Sequence, residues 1–96
     1  MEKNVKEQLY DEKFRAQLEK GMTFPGEYPF KFIVKSDSDA RERLEAVFAG
    51  TGARTSSVAS AKGNYVSLTI VMPVENPQQI IDKYNAVADI PQVIKL

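Results

Sequence analysis

The sequence has neither cysteine nor histidine among its 96 residues. Without cysteine the chain cannot form a disulfide, use a thiolate nucleophile or build a cysteine-based metal site. Without histidine it lacks the commonest general base and the commonest metal ligand. No spacing of its hydroxyl, lysine and carboxylate residues suggests an activated nucleophile, and it has no glycine-rich phosphate motif. We therefore expect a protein that is not an enzyme and needs no cofactor or metal.

An excess of positive charge and a long apolar run are also missing. Lys and Arg total 13, as do Asp and Glu, so the formal net charge is zero. Binding to nucleic acid or to an anionic membrane through charge alone needs a positive surplus, so neither is expected. No apolar run approaches the ~20 residues of a membrane span, and the charged N-terminus is unlike a secretory signal. These features predict a small cytoplasmic protein.

Residues 1–22 differ in composition from the rest of the chain. They are rich in charged residues and helix formers and contain no proline. Tyr10, Phe14 and Leu18 recur every four residues, which predicts a narrow apolar stripe on a helix. We interpret this segment as a charged arm that precedes a domain formed by residues 23–96. The arm is either solvated and partly helical, or a helix docked on its own domain or on a partner.

Residues 28–35 and 65–72 have the clearest strand patterns in the chain. Apolar and other side chains alternate in both with a period of two, which predicts one buried face and one open face. The predicted core faces are Tyr28, Phe30, Phe32 and Val34 in the first strand and Val66, Leu68, Ile70 and Met72 in the second. The predicted open faces are Pro29, Lys31, Ile33 and Lys35 in the first strand and Tyr65, Ser67, Thr69 and Val71 in the second.

Two further strands are weaker in sequence. Residues 54–62 are mostly small, polar or β-branched, which suits the edge of a sheet. The segment 62–64, Lys-Gly-Asn, predicts a hairpin turn that leads into the next strand. Residues 92–96 predict a closing strand in which Ile94 and Leu96 face inward.

Two helices are predicted between these strands. The first covers residues 37–49, with Ser36 as its N-cap and Asp39 as the capping-box partner. The second opens at Asn76 and Pro77, an N-cap followed by a proline at the position that needs no donor. The predicted buried stripes are Ala40, Leu44, Val47 and Phe48 in the first helix and Ile80, Ile81, Tyr84, Val87 and Ala88 in the second.

The order of these elements predicts the fold class. Strand, helix, strand, hairpin, strand, helix and strand is the βαββαβ order of a ferredoxin-like α+β sandwich. We expect a four-stranded antiparallel sheet with two helices on one face. Right-handed crossovers place strands one and three in the centre, and these are the two strongest apolar alternations.

The region 23–96 resembles the YbeD-like family of small bacterial proteins. The resemblance rests on Phe24-Pro25, Tyr28-Pro29-Phe30-Lys31, Ser60-Ala61-Lys62-Gly63-Asn64-Tyr65-Val66-Ser67, Tyr84 and the closing Pro91-Gln92-Val93-Ile94-Lys95-Leu96. It implies a ferredoxin-like fold akin to ACT regulatory domains in a bacterial cytoplasmic protein. It implies no particular activity, and a regulatory role follows only by analogy of fold.

The densest polar cluster is Ser36-Asp37-Ser38-Asp39, directly after the first strand. As a functional site this cluster could hold a divalent cation or a ligand ammonium group, at the place where ACT-like domains bind effectors, and Ser36 and Asp37 are its candidate ligand-binding residues. The structural alternative is a helix cap with acidic residues in the first turn. The loop contains no glycine, unlike those of ACT-type amino-acid sites. It also lacks the carboxylates, glycine and distal glutamate of an EF-hand.

Lysines are the second candidate feature. The predicted strands and hairpin carry Lys31, Lys35, Arg54, Lys62 and Lys95 against a single acid, Glu27. Lys31, Lys62 and Tyr65 are our candidate ligand-binding residues, in a cationic patch on the open face or its rim that would bind an anion or another small ligand. The alternative is that the lysines are solvated and protect the sheet edges from aggregation.

Two hypotheses of function follow, and they belong to different classes. The first is a regulatory ligand-binding module of ACT-like type, and the second is a protein-interaction adapter that uses the arm and the edge-like second strand. RNA binding is less favoured, because Tyr65 alone is a thin stacking platform. Ile33, Val71, Val93 and Tyr65 make the open face apolar, so we also expect a homodimer through that face or through an edge strand.

Overall fold

The computed structural model describes residues 12–95 and has an α+β architecture. In chain order the elements are α1 (Phe14–Gly21), β1 (Gly26–Lys35), α2 (Ala40–Val47), β2 (Arg54–Ala59), β3 (Tyr65–Val74), α3 (Pro77–Val87) and β4 (Val93–Lys95). The four strands form one antiparallel sheet in the order β2-β3-β1-β4. The predicted ferredoxin-like sandwich, with strands one and three in the centre, is confirmed.

The core lies on one face of the sheet, where alternate residues of β1 and β3 meet the helices. Phe30, Phe32, Leu68 and Ile70 are all fully buried, and they pair as Phe30 with Ile70 and Phe32 with Leu68. The period-two pattern therefore identified the buried face correctly. Proline is tolerated in β1 because β4 pairs only with Phe32, Ile33 and Val34. Pro29 lies beyond that stretch, so its missing N–H is not needed for a hydrogen bond to β4.

Helix α3 begins as its sequence predicts. The Asn76 side-chain oxygen accepts a hydrogen bond from the Gln79 amide at 3.1 Å, and Pro77 occupies the first turn. Its buried side chains include Ile80, Ile81, Tyr84 and Val87. Ala88, predicted in the same stripe, is exposed and lies one residue beyond the end of the helix.

Helix α2 begins later than its sequence predicts. It starts at Ala40 rather than at residue 37, and Ser36 is not its cap. The Ser38 hydroxyl accepts a hydrogen bond from the Ala40 amide at 3.2 Å and donates one to the Lys35 carbonyl at 2.9 Å. Ser38 thus stabilises a turn between β1 and α2, and this turn takes up the residues assigned to the first turn of the helix.

A lysine of α3 contacts the C-terminal end of α2. The Lys83 ammonium donates to the Val47 carbonyl at 2.7 Å and lies 5.7 Å from the centre of the Phe48 ring. A cation at this position hydrogen-bonds to a carbonyl that has no partner within the helix, and it interacts favourably with the negative end of the helix dipole. This contact connects α2 and α3 over the core.

Helix α1 docks on its own domain. Leu18 is part of the buried core, and the Phe14 ring packs edge-on against Tyr84 with 5.6 Å between ring centres. Tyr84 also lies in a cluster with Phe30 and Tyr28, and the two tyrosine hydroxyls are 3.1 Å apart. Of the two alternatives for this segment, residues 14–21 therefore follow the docked one. Tyr10, the first residue of the predicted stripe, lies outside the described residues.

Candidate functional site

A cleft of about 280 Å³ lies where the β1–α2 turn meets the β2–β3 hairpin. The two segments are connected at its base by the Ser36 amide, which donates to the Asn64 carbonyl at 2.9 Å. This bond makes the adjacent pair, Lys35 and Tyr65, a non-hydrogen-bonded pair, whose side chains are close together. The cleft is lined by Lys35, Ser36, Asp37, Gly63, Asn64 and Tyr65.

The hairpin half of the cleft is shaped by backbone hydrogen bonds. The Ser60 amide donates to the Tyr65 carbonyl at 2.8 Å, and the Gly63 amide donates to the Ser60 carbonyl at 2.9 Å. The Ser60 hydroxyl also accepts from the Tyr65 amide at 3.2 Å. Gly63 has a φ of 76°, a left-handed conformation that glycine adopts without strain, and a side chain there would meet no neighbouring atom. The glycine is therefore needed for the turn rather than for space.

The other half of the cleft is the polar turn after β1. Since Ser38 makes the hydrogen bonds at the start of α2, the side chains of Ser36 and Asp37 are not used for capping. Within residues 12–95 neither side chain takes part in a hydrogen bond or ion pair, and both are exposed at the cleft. The structural alternative for Ser36, a helix cap, is therefore wrong.

Three of the five predicted site residues come together in this cleft. Ser36, Asp37 and Tyr65 line it, whereas Lys62 is exposed nearby on the hairpin and does not. Lys31 is paired with Thr69 on the open face of the sheet. It lies about 13 Å along β1 from the cleft, at the usual rise per residue of a strand.

Lys35 is the cleft residue that our sequence reasoning did not select. It was already assigned to the open face by the alternation of β1, alongside Lys31 and Ile33. The missing information was the strand register, which pairs Lys35 with Tyr65. Asn64 and Gly63 were assigned only to the turn, and they contribute to the cleft as well.

The cleft offers groups of both charge signs to a small molecule. Lys35 supplies an ammonium group, Asp37 a carboxylate, and Ser36 and Tyr65 supply hydroxyls. Within the described part of the chain Lys35 and Asp37 form no ion pair, so each charge can meet a ligand. Across residues 12–95 no cluster of three or more acidic side chains could hold a metal ion.

Among the described residues, positive charge without an ion-pair partner lies in the middle of the open face, at Lys31, and at its cleft end, at Lys35. At the opposite end Arg54 forms a two-pronged ion pair with Glu27, with nitrogen–oxygen distances of 3.0 and 3.1 Å. This pairing lowers the pKa of the Glu27 carboxyl and raises the pKa of Arg54, mainly through the hydrogen bonds and then through charge. Arg54 is therefore compensated, while Lys31 and Lys35 have no ion-pair partner within residues 12–95.

The apolar part of the open face differs from prediction at β4. Ile33, Val71 and Tyr65 lie on this face as predicted, but Val93 packs against the core instead. Ile94 pairs with Ile33 and is 54% exposed, so the prediction that it faces inward is wrong. With apolar residues at 93, 94 and 96, the short segment has no alternation that fixes its face. Leu96 lies outside the described residues.

Comparison with known proteins places the chain in a family. A family model described as "Protein of unknown function (DUF493)" matches residues 19–96. The chain belongs to this DUF493 family. A UPF0250 protein of Shewanella piezotolerans is 32% identical over 88 residues, which cover 88% of this chain and 96% of that relative. The resemblance to YbeD-like proteins is confirmed.

The DUF493 match contains the whole sheet and the cleft. It begins at Glu19, within α1, so Leu18 and Phe14 precede it although both pack on the domain. The family description assigns no activity, and any role for the cleft therefore has to be argued from its own chemistry. Within residues 12–95 none of the helices is both long and apolar enough to cross a membrane.

Proposed function

We propose that this DUF493 chain is a non-enzymatic, ACT-like regulatory module that binds a small polar ligand in the cleft at the end of β1. One observation carries the proposal. Ser38 makes the side-chain hydrogen bonds of the turn before α2 and, within the described part of the chain, Ser36 and Asp37 present side chains without a hydrogen bond beside Lys35 and Tyr65. Their side chains are therefore available to a ligand in the cleft.

The charges of the cleft favour a ligand that carries both signs, such as an amino acid. Lys35 can bind an anionic carboxylate or phosphate, and Asp37 can bind an ammonium group. Gly63 and Asn64 form the hairpin side of the lining, where Asn64 adds an amide side chain and Tyr65 adds an aromatic ring. A few convergent polar groups in a concave site are typical of small-molecule binding.

Binding rather than catalysis is favoured by the same residues. A lysine, a carboxylate and two hydroxyls in an exposed cleft include no group that is held beside a base at hydrogen-bond distance. A regulatory module needs only that ligand binding alters the free energy of one conformation or assembly relative to another. The β1–α2 turn and the hairpin, which meet across the cleft, are the elements that such a ligand would connect.

A thermal-shift screen with amino acids and small anionic metabolites tests this proposal. A ligand at 100 times its dissociation constant adds about 2.7 kcal/mol of stability, which raises the Tm of a domain this size by roughly 10 °C or more. The shift should be lost in Lys35→Gln or in Asp37→Asn. It should persist in the exposed control variants Lys20→Gln and Asp89→Asn. A silent screen, or a shift that the cleft variants leave unchanged, would contradict the proposal.

The adapter alternative draws support from the exposed apolar side chains of the sheet. Val58, Tyr65 and Ile94 are 70%, 42% and 54% exposed, and each could contribute apolar contact area to a partner. The described part of the arm, residues 12–22, is a poorer candidate than its sequence suggests, because Leu18 and Phe14 are packed on the domain. If the chain is an adapter, a pull-down with the Lys35→Gln variant should still retain the partner, and a pull-down with Ile94→Lys should lose it. If the chain is a ligand-binding module, Lys35→Gln should instead abolish the ligand-induced rise in Tm.

A further inference from the structure

The two edges of the sheet are protected very differently. At one edge β4 has only three residues, Val93–Lys95, and it includes a lysine and follows Pro91. Short strands, lysine and proline are the usual devices that prevent pairing with another chain. At the other edge β2 has six residues, and from Thr55 to Ala59 it holds no charge, proline or glycine. This edge has none of those devices within its central residues.

The strand register fixes which backbone groups of β2 face outward. Ser60 donates its amide to Tyr65, and the β2–β3 pairing continues from there to Arg54 with Val71. In an antiparallel ladder alternate residues bond to the neighbour, so Arg54, Ser56 and Val58 face β3. The amides and carbonyls of Thr55, Ser57 and Ala59 therefore point away from the sheet. They are arranged to bond to a further strand.

Val58 is the second observation at this edge. It pairs with Ser67, lies on the open face of the sheet and is 70% exposed, more than Tyr65 or Ile94. Exposure of this side chain leaves apolar surface in water at the unpaired edge. A neighbouring strand would cover it.

We infer that the occupant of this edge is a second copy of the chain, paired antiparallel to β2 with Val58 on the two-fold axis. In this register Ser57 of one copy exchanges backbone hydrogen bonds with Ala59 of the other, and both use their outward groups. Val58 then faces the Val58 of the second copy in a non-hydrogen-bonded pair, the closer kind of cross-strand pair. The two sheets join into one continuous sheet.

The chemistry of β2 favours its own copy over an unrelated peptide. The side chains from Thr55 to Ala59 are small and uncharged, so pairing of this stretch brings neither bulk nor like charges together. Beyond it, this register places Arg54 opposite Lys62 of the second copy. Arg54, at the end of the strand, is already neutralised by Glu27. Shifting the axis by one residue, to Ser57, would place Val58 opposite Ser56 and leave each valine partly exposed. Only the register with Val58 on the axis packs the Val58 side chain of one copy directly against that of the other.

Single-cysteine variants test this pairing directly, since the chain has no cysteine of its own. A non-hydrogen-bonded pair has Cβ atoms about 4.5–5.5 Å apart, close enough for a disulfide after a small shift. Under mild oxidation at low protein concentration, Val58→Cys should form a covalent dimer at least ~10-fold faster than Ser56→Cys or than Ile94→Cys at the other edge. Equal rates at the three positions, or no cross-link at Val58 despite a reactive thiol, would overturn the inference.

The oligomeric state of unmodified protein gives an independent readout. Light scattering after size-exclusion chromatography should report a dimer for the wild-type chain and for Ile94→Lys, and a monomer for Val58→Lys. Both replaced side chains are exposed, so circular dichroism should be the same in all three proteins. A monomeric wild type at about 100 µM, a concentration at which complexes with micromolar dissociation constants form, would overturn the inference without bearing on ligand binding in the cleft.

Discussion

The two faces of the central strands, β1 and β3, carry different kinds of side chain and have different roles. Along β1, Phe32 and Val34 are buried under the helices, while their neighbours Lys31 and Lys35 point to the open side. One face holds the aromatic core and sets the stability. The other holds uncompensated lysines and leads at its end to a cleft of both charge signs. Because side chains alternate along a strand, one sequence serves both needs without conflict.

The largest test of this division compares adjacent residues of β1. Phe32→Ala should lower the free energy of unfolding by about 3–5 kcal/mol, because it removes a fully buried ring that packs beside Phe48 and Tyr84. Ile33→Ala, on the open face, should cost about 1 kcal/mol or less. Urea denaturation measures both. Similar losses at the two positions would mean that the open face also contributes a core.

The second test concerns α1, which adds Leu18 to the core on the face of the sheet that the helices cover. Leu18→Ala should destabilise the chain by about 2–3 kcal/mol, since the side chain is 7% exposed and belongs to the core. Gln17→Ala, one residue earlier on the exposed side of the same helix, should change stability by less than about 0.5 kcal/mol. Equal small effects would show that α1 does not dock in solution.

The third test compares the starts of the two helices that follow strands. Asn76→Ala should cost about 1 kcal/mol, because it removes the oxygen that accepts from the Gln79 amide. Ser36→Ala should change thermal stability by less than about 0.5 kcal/mol, because its hydroxyl caps nothing. A loss of stability for Ser36→Ala as large as that for Asn76→Ala would show that Ser36 has a structural role.

The smallest expected effect lies on the open face, in the pH dependence of stability. The folded-state pKa of Glu27 is lowered by Arg54 below its ordinary value of 4.5. The pair therefore stabilises the fold above that pH, and the gain is lost as the pH falls through the lower folded pKa. Glu27→Gln should flatten the acid limb of a Tm-against-pH curve slightly, and added salt should do the same in the wild type. An unchanged acid limb would show that the pair is not formed in solution.

Much of the covered face could be predicted from the sequence, because long alternations and strong caps are local signals. Phe30 and Ile70 belong to such alternations, and the Asn76-Pro77 start of α3 combines two signals that agree. The start of α2 was missed because Ser36, Asp37, Ser38 and Asp39 all carry a side-chain oxygen able to cap. Nothing in the sequence decides among them.

The candidate site was predictable only in part, because it depends on contacts between distant segments. Ser36, Asp37 and Tyr65 were recognised by their chemistry, but Lys35 joins them only through its pairing with Tyr65. The face of Ile94 was equally out of reach, since a strand as short as β4 takes its register from β1. Local patterns predict elements, and the register between elements decides which side chains meet.

The cleft is tested most directly by mapping amide chemical shifts in a ¹⁵N-labelled chain during titration with amino acids and small anionic metabolites. The account predicts that a binding ligand moves the signals of residues 35–37 and 63–65 most strongly, and that Lys35→Gln abolishes the shifts while Lys20→Gln does not. Shifts concentrated on α1 or on the β4 edge, or a spectrum that no compound changes, would contradict the assignment of this cleft as the binding site.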